Sequence, residues 1–191
     1  MAASIDFHAV GGEAAWGHAD ELGELYAEVY AEPPYCWGSE HAALFKQRFE
    51  GQCRQNGFAL MEAREGEQLI GIAFGVTLRP TTPWWQGLLS PLPATTTTEY
   101  PNRTFALVEL LVRAPWRRRH VGQTLHDRLL ANRSEERATL TVLPAAAAAQ
   151  AAYRKWGWER VRQKRNPLPG SPVFDVLVKP LRRSEGAATH G

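Results

Sequence analysis

Helical and strand-like spacings of apolar residues alternate along this chain and divide it into elements. In "HADELGELYAEVYA", residues 18–31, Leu22, Leu25, Tyr26 and Val29 recur at helical spacing with acids on the other face, which predicts an amphipathic helix. Ser39 caps a second helix, and Ala43, Leu44, Phe45 and Phe49 carry it toward Gly57. The connector "EPPYCW" is closed to helix by its two prolines. "FALMEARE" and "QLIGIAFGVTL" read as strands parted by the turn "EGEQ". Residues 79–103, rich in Pro, Gly and Thr, exceed a routine connection and are either a functional loop or partly disordered. "TFALVELLV" is the strongest strand. From Val121, Leu125 and Leu129 follow at i+4 and i+8, which predicts a helix. "ATLTVL" is a short buried strand, and "AAAAAQAAYRKW" is a high-propensity helix ended by Gly157. "WERVRQ" and "VFDVLVKPL" close the chain as strands, and the tail 182–191 is expected to be disordered. With a weak first strand, the order is β-α-α-β-β-β-α-β-α-β-β. It describes a mixed sheet with helices packed on it, without internal repeats.

Composition changes this picture in few places. At 191 residues the chain suits one domain, expected over residues 1–181. Its start has no basic segment followed by an apolar one, and no apolar run approaches the ~18 residues that span a bilayer, so neither a signal peptide nor a membrane partner is expected. Cys36 and Cys53 stand far apart, which argues for reduced thiols and a cytoplasmic location. The six histidines lack metal-ligand spacing, so no metal is expected. The net charge of +2 hides an asymmetry. Residues 1–70 carry twelve acids and four bases, a net of −8, while residues 71–191 carry eight acids and eighteen bases, a net of +10. Either the two halves face different chemical partners, or the split is compositional drift between solvated faces.

The candidate chemistry centres on "LVELLVRAPWRRRHVGQTLHDRLL". An apolar strand, a basic turn and a glycine at the head of a helix make an anion site. The first amides of a helix lack intrahelical partners, and they carry the positive end of its dipole. Gly122 lets backbone approach a ligand, and Arg117, Arg118 and Arg119 add charge. The alternative is a basic helix N-terminus on the surface. Cations there oppose the dipole unless an anion sits among them. The spacing is neither a Walker loop nor a dinucleotide turn, and no nucleic-acid signature accompanies the arginines.

These residues resemble motif A of the GNAT superfamily of N-acetyltransferases, whose turn reads [QR]-x-x-G-x-[GA]; here it runs from Arg117 to Gly122, with His120 in place of the first glycine. Residues 146–158, "AAAAQAAYRKWGW", are similar to motif B, N-x-x-A-x-x-x-Y-x-x-x-G-[FY]. Ala149, Tyr153 and Gly157 match, Trp158 stands for the terminal aromatic, and Ala146 replaces the asparagine. The element order agrees with the family's across residues 18–180. The resemblance implies an α/β (α+β) fold, with a mixed, mostly antiparallel sheet of six to seven strands flanked by four helices. It implies acetyl-CoA as co-substrate and transfer of the acetyl group to a primary amine of a small-molecule acceptor, by direct attack, in a monomer or homodimer. A CoA-binding protein without catalysis and, behind it, a nucleic-acid-binding module are the alternatives.

The resemblance also assigns residues. The turn Arg117, Arg118, Arg119, His120, Val121, Gly122, Gln123 and Thr124 would bind the pyrophosphate of acetyl-CoA. Backbone groups of Leu110, Leu111 and Val112 would hold pantetheine, with one N–H at the oxyanion. Tyr153 would be the general acid, since a phenol with a pKa of about 10 can protonate a departing thiolate; a packed helix tyrosine is the plainer reading. Glu109 interrupts an apolar strand and therefore needs a partner or a purpose. It is either a base, through water or with a pKa raised by burial, or a solvent-facing edge residue. The acceptor would lie by Tyr35, Trp37, Trp84 and Trp85, which otherwise fill core beneath loops.

Overall fold

The computed structural model describes residues 4–167 and 169–181; the expected tail 182–191 lies outside the described residues. Seven strands form one sheet: β1 (Ile5–Val10), β2 (Ala59–Glu65), β3 (Gln68–Thr77), β4 (Thr104–Val112), β5 (Arg137–Val142), β6 (Glu159–Arg165) and β7 (Val173–Pro180). Their order is β1-β2-β3-β4-β5-β7-β6. Beside them are α1 (Gly12–Gly17), α2 (Ala19–Tyr30), α3 (Ser39–Gln52), α4 (Ala94–Thr97), α5 (Val121–Leu130) and α6 (Ala147–Lys155). β1 pairs antiparallel with β2, β2 with β3, β5 with β7 and β6 with β7, whereas β4 and β5 run parallel. The fold is thus the mixed, mostly antiparallel α/β arrangement that the resemblance implies. No helix among the described residues is long and apolar enough to cross a membrane.

Two compact units divide the described chain: the residues up to Thr77 with Leu107–Ala131, and Leu78–Ala106 with the residues from Asn132 onward. In the first, β3 is apolar almost throughout because both its faces are covered. Ile72 and Phe74 enter a core with Leu22, Leu25 and Tyr26 of α2 and Phe45 and Phe49 of α3. Gly71, the residue before Ile72 and so on the opposite face, lies beneath Leu125 of α5. A Cβ at Gly71 would sit 2.8 Å from the Leu111 carbonyl oxygen, so the strand requires a glycine where β4 passes close.

In the second unit, Thr104–Ala106 of β4 pair with Arg137–Thr139, and β7 lies between β5 and the outer strand β6. Residues 79–103 are built onto that outer edge. Leu88 bridges Lys164, the Leu89 N–H donates to the Gln163 carbonyl at 2.9 Å, and the Arg165 N–H donates to the Gly87 carbonyl at 2.9 Å. Gly87 has φ +75°, and a Cβ on it would meet the Arg165 carbonyl oxygen at 2.1 Å. A buried carboxylate anchors the same segment: Glu99 accepts from the Trp85 indole (2.8 Å), the Thr104 hydroxyl (2.9 Å) and Arg137 (2.9 Å).

Two short elements escape the sequence reading. α1 forms in a glycine-bounded run too short to show periodicity, held because Ala15 is fully buried. α4 is one turn within the long loop. The second helix ends at Gln52 rather than near Gly57, which instead takes φ +81° and packs against Thr77.

Candidate functional site

β4 delivers the chain to the basic turn. Leu111 points into the core, Leu110 and Val112 are half-buried, and a single 3-10 turn, Ala114–Trp116, leads to Arg117. His120 is the N-cap of α5 with φ 61°, and Arg118 has φ 58°. The left-handed region is where a glycine would sit most easily, and histidine is among the side chains that tolerate it. The exposed His120 side chain makes no capping bond, and no acid stands in the first turn. The first intrahelical bond runs from the Thr124 N–H to the His120 carbonyl at 2.9 Å. Hence the amides of Val121, Gly122 and Gln123 have no intrahelical acceptor and face the mouth of the turn. A Cβ on Gly122 would meet only Val112 Cγ2, at 3.6 Å, so internal packing does not demand a glycine there. Its bare backbone leaves room for a close external approach. The turn therefore fits a polyanionic group.

The arginines divide in role. Arg117 donates through Nε to the Val112 carbonyl at 2.9 Å and pairs with Glu32, stapling the turn to the end of β4. Arg113 pairs with Glu28, and Arg119 lies 3.6 Å from Glu65. Arg118 is exposed and makes no ion pair among the described residues. Opposite charges from the acidic and basic stretches thus meet within this unit.

Glu109 is only 8% exposed, so the edge-residue reading does not describe it. Its Oε2 accepts a 2.6 Å bond from the Tyr30 hydroxyl. Burial pushes the Glu109 carboxyl up to about 7, while the Tyr30 bond and the Arg48 charge pull it down. Burial and the neighbouring Glu109 hold the Tyr30 phenol well above its ordinary value, so it stays a donor. Tyr30 lies 4.6 Å edge-on from Tyr35 and stacks on Trp37 at 4.5 Å; Trp37 in turn stacks on His41 at 4.8 Å. The structure thus brings Glu109, Tyr35 and Trp37 into one cluster, with Tyr30 as the link. Sequence reading missed Tyr30 and His41; the signal for Tyr30 was its position four residues after Tyr26 on α2.

In the second unit, Tyr153 is a buried α6 residue, edge-on to Trp156 (5.7 Å) and Trp158 (5.9 Å). Gly157 takes φ +84° and ends that helix. Trp85 is buried with its indole N–H on Glu99 and the Arg137 guanidinium over its ring at 5.2 Å. Trp84, half-buried, donates to Thr139 at 3.3 Å and carries Lys164 over its ring at 5.5 Å. Both tryptophans thus help seat the long loop. Among the described residues no three His, Cys, Asp or Glu side chains come together as a metal would need.

The family model of the acetyltransferase (GNAT) family matches residues 22–158. Solved structures share the fold at low identity. The PaiA N-acetyltransferase of Thermoplasma acidophilum, in complex with coenzyme A, has 14% identity and TM-score 0.59, covering 93% of this chain and 99% of that one. The ribosomal-protein-S18-alanine N-acetyltransferase of Escherichia coli has 15% identity and TM-score 0.60, covering 96% and 98%. An aminoglycoside 6'-acetyltransferase of type Ii has 14% identity and TM-score 0.64, covering 93% and 97%. No curated protein matches the sequence.

Proposed function

This chain belongs to the acetyltransferase (GNAT) family, and from that premise we propose that it transfers the acetyl group of acetyl-CoA to a primary amine of a small-molecule acceptor, in the cytoplasm. The observation that carries the proposal is Glu109, a buried carboxyl with its pKa raised to about 7, bonded to Tyr30 and set among aromatic rings. A carboxyl tuned near neutrality can take a proton from an ammonium, directly or through a water, where an ordinary glutamate near 4.3 is too weak a base. Tyr35 and Trp37 offer the acceptor flat apolar surface beside that base.

Acetyl-CoA, when bound, supplies an acyl thioester open to attack by the neutral amine. The free amides of Val121, Gly122 and Gln123, with Arg118, would hold its pyrophosphate. Backbone groups of Leu110, Leu111 and Val112 would hold the pantetheine arm, and an N–H among them would receive the charge that develops on the carbonyl oxygen. Tyr153 is proposed as the group that returns a proton to the departing sulfur, on the strength of motif B.

The test is to incubate the protein with acetyl-CoA and a panel of small amines and peptides, and to follow free thiol. Acceptor-dependent thiol release from small amines, strongly reduced in Tyr153→Phe and Glu109→Gln with coenzyme A binding near normal, supports the proposal. Coenzyme A binding without release on any acceptor identifies a non-catalytic binder instead. Release on peptides alone moves the acceptor class to proteins.

A further inference from the structure

The second unit holds a cavity of about 600 Å³ to which acyl transfer gives no role. This volume is that of a small-molecule site. α6 turns Ala147, Gln150, Ala151 and Arg154 toward it, at i, i+3, i+4 and i+7, one face of the helix. That face is set about 100° around the axis from Tyr153, the residue preceding Arg154. The facing wall comes from β7, where Asp175 and Leu177, two apart, share a side of the strand, and from Arg160 of β6.

The polar groups are arranged around Asp175. It is buried, and its Oδ1 accepts from Arg160 at 3.2 Å and from Gln163 at 3.1 Å, while Oδ2 accepts from Gln150 at 2.9 Å. A carboxylate so engaged acts as an anchor that aims the Arg160 guanidinium. Arg160 remains 60% exposed, so most of its donors stay open to the cavity and solvent. Arg154 is exposed and has no carboxylate partner among the described residues. Two guanidinium groups against one carboxylate leave one positive charge in a recess otherwise walled by Ala147, Ala151, Leu177 and the buried Trp158. A guanidinium fork matches a carboxylate bidentately, and the alanine and tryptophan surfaces favour an apolar body.

We propose that this cavity binds a small organic monocarboxylate, its carboxylate held between Arg154 and Arg160 and its apolar body against Ala147, Ala151 and Trp158. The proposal is independent of the acyl-transfer reading. Its test is calorimetric titration of the full chain, in saturating coenzyme A, with phenylacetate, hexanoate, neutral phenylacetamide and inorganic phosphate. Saturable one-site binding of the carboxylates is expected, weakened about tenfold or more in Arg154→Gln and in Arg160→Gln, as loss of a charge-assisted bond implies. Ala151→Phe, which places a ring where the apolar body would lie and leaves the Asp175 network whole, should weaken binding by about tenfold or more, and it provides the decisive readout where Arg160→Gln is unstable. Absence of saturable binding by both carboxylates overturns the proposal. So does equal binding of the amide or of phosphate, or an affinity unchanged in Arg154→Gln and Ala151→Phe.

Discussion

Glu109 carries two consequences of opposite sign. Its folded pKa of about 7 stands above the ordinary 4.5, so between these values the folded state binds more protons than the unfolded one. Stability from this group is therefore present at low pH and is lost as pH rises through about 7, by an amount on the order of 3 kcal/mol. Glu109→Gln should flatten the pH dependence of the melting temperature above pH 5 while removing most acetyl transfer; a melting profile with unchanged slope would contradict the raised pKa. In its proposed role as base, Glu109 should instead make activity rise through about pH 7, where the carboxyl ionises. The Tyr30 hydroxyl lowers the Glu109 pKa, so Tyr30→Phe should move the ascending limb of the kcat/KM profile to higher pH. A limb left in place would show that Tyr30 only packs.

Elements set what these residues can reach. The turn before α5 is shaped by Arg117, which ties it to Val112 and Glu32, and by two left-handed residues, Arg118 and His120. Gly122→Ala separates ligand approach from folding, because a Cβ there clashes with nothing inside. The melting temperature should hold or rise, by up to about 1 kcal/mol of helix preference, while coenzyme A binding weakens. If affinity survives the substitution, the backbone of the turn is not the cradle. Gly87 is the contrary case. Its φ is +75°, and a Cβ there would stand 2.1 Å from the Arg165 carbonyl oxygen, so Gly87→Ala should cost more than about 1 kcal/mol and expose the loop to proteases. This element-level detail was only half legible in the sequence. The strand, basic turn and glycine of motif A could be read because each obeys a local rule. That Arg117 is a staple while Arg118 is unpaired depends on Glu32, 85 residues away, and no local pattern records it.

Across the whole molecule, the elements with strong periodicity were readable and those held by tertiary contacts were not. β3, β4, α2 and α5 bury residues at the spacing the sequence displays. The attachment of residues 79–103 rests on Gly87 and Leu88 against β6 and on Glu99 against Thr104 and Arg137, residues scattered in sequence. The Glu109 cluster shows the same limit: an odd acid in an apolar strand was visible, but its partner Tyr30, 79 residues distant, was not. The two thiols give a check on the molecule as a whole. Cys36 is exposed and Cys53 buried, and burial pushes the Cys53 thiol up. One thiol should therefore react at once with a disulfide reagent and the other only on unfolding; two fast reactions would refute the packing of α3. Since Cys36 lies between Tyr35 and Trp37, its alkylation should also slow transfer to the acceptor more than it affects coenzyme A binding.

The loop laid along β6 also governs how copies of this protein can meet. A sheet grows from molecule to molecule only where a border strand offers unpaired amides and carbonyls. On β6 the second half of that border is already taken, by Gly87 and Leu89 through the backbone and by Arg162, whose guanidinium donates to the Pro91 carbonyl. Strand addition by a second copy along that half of β6 is thereby blocked.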